Sequence, residues 1–204
     1  MPTEPAHPGT GAPAKFFARA RYYDHLTGVF SISRRYFVIG AFDGALTVLG
    51  LVLGAAGHST DASLILAAGL ATSVALAVSS TFGAFEAERV EQDLERQGLE
   101  SAMLTEVRGD MVAALRFATR LSSLVHGAAP MVSGLLPLIP FVFVPALINF
   151  DQAIVLSVVT TMGFLFFLGV YLGTITKKHL AISGLRLIIV ALATALITVA
   201  IGFH

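Results

Sequence analysis

The sequence predicts an all-α membrane protein with five transmembrane helices and a cytoplasmic N-terminus. Three observations carry this reading. Of 204 residues, 55% are hydrophobic and 13% charged, with a mean hydropathy of +0.80, whereas soluble domains carry about 25% charged residues. Five stretches each supply the roughly 20 mainly apolar residues that a spanning helix needs. All 13 lysines and arginines fall in three regions that the five spans would leave on one side.

Met1–Ala14 is rich in Pro, Gly, Ala and Thr and is expected to be disordered. It lacks the basic and apolar regions of a signal peptide, so the first apolar segment should be retained. Residues 15–33 mix aromatics with Lys and Arg, which suits an amphipathic helix along the inner membrane surface. The alternative is a disordered basic lead-in that only sets topology. Residues 34–88 hold spans 1 and 2, about Tyr36–Gly57 and Ala62–Phe85. Residues 89–125 form a short helical cytoplasmic segment. Residues 126–204 hold spans 3 to 5, about Gly127–Phe150, Gln152–Thr176 and Ile182–Phe203.

The basic residues orient these spans. Lys15, Arg19, Arg21, Arg34 and Arg35 precede span 1. Arg89, Arg96, Arg108, Arg116 and Arg120 lie between spans 2 and 3, and Lys177, Lys178 and Arg186 lie at the link between spans 4 and 5. The side that collects them is the cytoplasmic one.

Asp43 is the one acid well inside an apolar span. A carboxylate at mid-helix costs about 2.5–3.5 kcal/mol on insertion scales and usually serves an ion or proton pathway. A structural aspartate, protonated or paired with Arg34 or Arg35, is the alternative. Helical spacing puts Gly40, Asp43, Gly44, Thr47, Gly50 and Gly54 on one face of span 1. The glycines permit close packing, but packing alone does not account for Asp43. Span 2 carries Thr72, Ser79, Ser80, Gly83 and Glu86 as a matching stripe. Two such stripes facing each other would line a hydrophilic path. Pro130, Pro137, Pro140 and Pro145 predict kinks in span 3, static or lining a site.

Beyond span 2 the helix is expected to continue through Glu106, with Gly98 a weak point and Gly109 a break before a second helix, Asp110–Leu124. Glu88, Glu91 and Glu95 share one face, and Met103, Glu106, Asp110 and Met111 cluster near the break. Carboxylates are hard ligands suited to Mn²⁺ and Fe²⁺, and thioethers are softer. A solvated helix held by pairs such as Arg89–Asp93 and Asp93–Arg96 explains the same acids equally simply. His126, at the foot of span 3, reads as a structural histidine.

Several motifs carry a resemblance. Gly40-Ala41-Phe42-Asp43-Gly44 with Gly50-Leu51-Val52-Leu53-Gly54 looks like the first helix of vacuolar iron transporters. Gly134-Leu135-Leu136-Pro137-Leu138-Ile139-Pro140-Phe141 resembles their third helix. Leu168-Gly169-Val170-Tyr171-Leu172-Gly173, with Gly184-Leu185-Arg186, resembles the end of the fourth and the start of the fifth. The resemblance covers about Arg34–Phe203. It implies a homodimer whose first and second helices line a central path, and exchange of cytosolic Fe²⁺ or Mn²⁺ for protons. It implies an essential aspartate at Asp43 and a cytoplasmic domain that gathers metal through Glu and Met. Ser80 stands where family members carry a path-facing methionine, Thr72 where they carry a glutamate, and Ala84 within their Gly-Glu-Tyr motif.

The expected function is therefore proton-coupled divalent metal export. Asp43, Thr47, Thr72, Ser80 and Glu86 are expected in the path, and Asp43, Glu88, Glu91, Glu95, Met103 and Glu106 as metal ligands. Fe²⁺ or Mn²⁺ is expected as substrate, with no tightly bound cofactor. The lipid bilayer and a second copy of the chain are the expected partners, in a prokaryotic plasma membrane. Zero net charge offers no overall attraction to nucleic acid. The absence of cysteine excludes disulfides and thiolate metal sites. No nucleophile–base pair or phosphate-binding loop points to an enzyme. The competing readings are a non-transporting scaffold or sensor, and a transporter of another cation or small polar molecule.

Overall fold

The computed structural model describes residues 12–103, 109–177 and 179–202. Expectations for residues 1–11, for Glu106 and for the Met103 side chain lie outside what it describes. Every element is helical: α1 (Ala12–Thr27), α2 (Val29–Ala56), α3 (Ala62–Met103), α4 (Asp110–Leu135), a 3-10 helix (Leu136–Phe143), α5 (Phe150–Thr176) and α6 (Leu180–Gly202). Five segments are long and apolar enough to cross a bilayer: α2, α3, α4 with its 3-10 extension, α5 and α6. The chain is an integral membrane protein.

α1 begins at Ala12, inside the stretch expected to lack structure. Its Tyr23 is buried, stacks on Phe117 of α4 at 5.5 Å between ring centroids, and accepts a hydrogen bond from Arg19 Nε. The basic segment is thus a helix docked on α4. Gly28 then turns the chain with φ +64, a conformation glycine adopts without cost. α2 starts at Val29, two turns before the apolar run does.

The centre of the bundle is the contact between α2 and α4. A Cβ on Gly40 would sit 2.7 Å from the His126 carbonyl oxygen, and one on Gly44 would strike the Pro130 backbone. These two glycines let the helices approach to backbone contact. On its other side α4 meets α3. Gly134 lies against Ser73 Oγ, and Gly127 against Thr81 and the Ala77 carbonyl. α5 and α6 pair through Gly169, where a Cβ would lie 2.6 Å from the Gly184 Cα, and through Gly184, which seats the Phe166 ring. Two clusters fill the remainder: Ala41, Ala45, Ala129, Leu165, Leu168 and Ala191, and Val48, Val52, Ile65, Leu138, Phe141 and Ala153.

The structure changes two expectations for span 3. The amphipathic segment from Asp110 and the start of the span form one helix, which passes through Pro130 unbroken. Pro130 removes one backbone donor, and the His126 carbonyl it leaves lies over Gly40. The helix ends at Leu135, and Pro137 and Pro140 carry the chain on as a 3-10 helix to Phe143 rather than as a span to Phe150. α3 also runs through Gly98 without interruption.

Between α2 and α3, the Asp61 carboxylate accepts from the Ser63 amide at 2.8 Å and from the Ser63 hydroxyl at 2.7 Å. These bonds stabilise the charged form and hold the carboxyl below its ordinary range. A depressed carboxyl supports the helix start above its unfolded value and loses that support as pH falls through the folded one. Asp61→Ala should speed amide exchange at the start of α3. In the parent, protection there should persist down to about pH 4 and fail only below it.

The α2–α4 contact makes a sharper prediction. Gly44→Val should destabilise the protein by about 1–3 kcal/mol or more, read as loss of the monodisperse peak on size exclusion in detergent. Gly83→Ala, with nothing within 4 Å of its Cβ position, should leave that peak unchanged.

Candidate functional site

Asp43 lies on an exposed flank of α2. On one side of that flank Gly40 and Gly44 pack on α4, and on the other Val38, Phe42 and Leu46 pack against the cluster that α5 and α6 share. Thr47, one turn on, donates its hydroxyl to Asp43 Oδ1 at 3.4 Å. The carboxylate borders a groove of about 410 Å³ that Ile39, His126 and Leu187 also line. The single face read from the sequence therefore divides. Gly40 and Gly44 turn into the bundle, Asp43 and Thr47 stay exposed, and Gly50 and Gly54 lie beside Thr198 of α6.

His126 shares this groove, a placement its isolated position in the sequence did not reveal. Its Nδ1 lies 3.1 Å from the Tyr36 carbonyl oxygen, and its ring stacks on Tyr36 at 4.9 Å. A carbonyl only accepts, so Nδ1 is the donor of that bond, a contact that fits a structural role for the ring.

On α3, Ser73, Ala77 and Thr81 are the positions turned to α4. Thr72 is half-buried and donates to the Ala68 carbonyl at 2.8 Å. Ser80 is half-buried, while Ser79, Gly83 and Glu86 are exposed. No α3 residue lines the groove at Asp43, which is walled by α2, α4, α5 and α6.

The acids that follow span 2 are dispersed. Glu88 of α3 lies near the Tyr36 side chain of α2, which Arg35 also approaches. Glu91 and Glu95 are exposed. Among the described residues no three His, Asp or Glu side chains gather closely enough to hold a metal ion. The expected pairs Arg89–Asp93 and Asp93–Arg96 are not formed; Arg96 binds Glu100 at 2.8 Å instead. That i,i+4 pair places the carboxylate in line with the guanidinium Nε.

Five apolar helices, glycine-mediated contacts at the motif positions and an exposed membrane aspartate can be set beside known proteins. The model of the VIT family matches residues 34–114 and 97–203. The chain belongs to the VIT family. This VIT-family chain is 35% identical to an uncharacterized protein of Methanocaldococcus jannaschii over 168 residues, 80% of this chain and 85% of that one. It is 27% identical over 207 residues to vacuolar iron transporter 2 of Oryza sativa subsp. japonica, 79% of this chain and 83% of the relative. The VIT family is one of membrane transporters and not of enzymes.

The proximity of Tyr36 and Glu88 yields a prediction. Tyr36→Phe removes the phenol that lies near Glu88 and should lower the thermal midpoint in detergent. Glu91→Gln should leave the midpoint unchanged.

Proposed function

We propose that the protein is a proton-coupled exporter of divalent metal, Fe²⁺ or Mn²⁺, acting as a homodimer with its N-terminus in the cytoplasm. The observation that carries this reading is Asp43, an exposed carboxylate on a spanning helix, hydrogen-bonded to Thr47. Lipid is a costly neighbour for that group. A second copy, bringing its own α2 and α3 against this flank, removes it from lipid and supplies facing oxygen ligands. Asp43 then binds the ion and exchanges a proton, and the Thr47 hydroxyl gives a secondary contact. Thr72, Ser80 and Glu86 belong to the facing wall. Glu91 and Glu95, exposed on the part of α3 beyond the membrane, raise the local cation concentration at the inner mouth, with Glu88, Met103 and Glu106 on the same side. Family membership supports the substrate class, and the one-sided lysines and arginines support the orientation.

A second reading, a non-transporting scaffold or sensor, draws on the dispersal of the acids and on Ser80 and Thr72 at the two family ligand positions. Proteoliposomes loaded with a metal-sensitive dye and given Fe²⁺ or Mn²⁺ across a pH gradient separate the two. The parent should carry metal inward with counter-flow of protons, Asp43→Asn should fall to the empty-liposome rate, and Thr47→Val should be slowed. Unimpaired flux in Asp43→Asn sinks the proposed mechanism. Absence of flux in an intact parent dimer favours the scaffold.

A further inference from the structure

Away from the Asp43 groove, the cytoplasmic ends of α3 and α4 form another cavity, of about 360 Å³. α3 contributes Arg89 and Asp93 to its walls, and α4 contributes Arg116 and Arg120. Three guanidinium groups against one carboxylate leave two positive charges uncompensated. Arg116 and Arg120 stand one turn apart, a spacing at which like charges repel. None of the three arginines makes a hydrogen bond or ion pair among the described residues, and neither does Asp93, although Arg89 precedes it by one turn.

The cavity is held open by its own frame. Gln92 Nε2 donates to the Leu115 carbonyl at 2.8 Å and ties α3 to α4 beside it. The buried Thr119 hydroxyl donates to the same carbonyl at 3.3 Å. The arginines therefore converge from two fixed helices and cannot relieve their repulsion by helix separation. The cavity starts at Phe85, where the apolar run of α3 gives way to charged residues.

We propose that this cavity binds a phosphate group, presented by an anionic phospholipid headgroup or free in the cytoplasm. Guanidinium groups pair bidentately with phosphate oxygens, and one such anion compensates the excess charge. The site is separate from the transport path and stands whether or not the protein moves metal.

The test uses the full-length, delipidated protein in detergent. In one arm, native mass spectrometry follows binding of phosphatidylglycerol, with phosphatidylcholine as the zwitterionic control. In the other, calorimetry follows inorganic phosphate. In at least one arm the affinity of the parent should exceed that of Arg116→Gln/Arg120→Gln by about tenfold or more. Arg21→Gln, on α1, should bind like the parent. Loss in the lipid arm alone identifies a headgroup site, and loss with inorganic phosphate identifies a site that also takes the free anion. Arg89→Gln provides a second variant should the double substitution fail to fold. Equal binding by parent and variants, equal loss in Arg21→Gln, or no binding of either probe by the parent overturns the proposal.

Discussion

The approach of α2 to α4 is the constraint from which the rest of the bundle follows. Gly40 and Gly44 bring two helix backbones into contact at the level of Pro130, closer than any side chain would permit. The adjoining face of α4 then meets Ser73, Ala77 and Thr81 of α3 through Gly127 and Gly134, and Gly134 lies against Val48 of α2 as well. Asp43 lies beside that seam, on an exposed flank of α2 rather than in the core. In a membrane, helices gain little from hiding apolar side chains from one another, so tight backbone packing has to carry their association.

Much of this arrangement was legible in the residues. The five apolar runs are long enough to identify themselves, and each glycine motif that resembled the family has a packing reason. Gly40 and Gly44 admit α4, Gly134 admits Ser73, and Gly169 with Gly184 lets α5 and α6 cross. Helix ends were less legible. Val29–Tyr36 mixes Arg34 and Arg35 with apolar residues, so hydropathy places the start of α2 too late. Pro130 looks like a break in sequence, yet Gly40 and Gly44 of α2 make room for it and α4 runs on.

The candidate site was legible in part. Asp43 and its Thr47 partner follow from helical spacing, and the hydrogen bond between them is a local one. Which way that face points depends on where α4 sits, and spacing within one helix carries no such information. His126 enters the same groove from a position 83 residues further on, through a contact with the Tyr36 carbonyl that no local pattern encodes. Glu88 was grouped with Glu91 and Glu95 by periodicity, but a tyrosine on another helix sets it apart.

α3 is a continuous helix of 42 residues, about 63 Å long at 1.5 Å per residue, against a hydrocarbon layer of about 30 Å. It passes Gly98 without a joint. A rod of this kind transmits torque. A turn imposed on its outer half, which carries Arg89, Gln92 and Glu95, arrives at Ser80 and Thr72 as a rotation of the same sense. The Gln92–Leu115 bond holds the outer half against α4 and so acts as the bearing of that shaft.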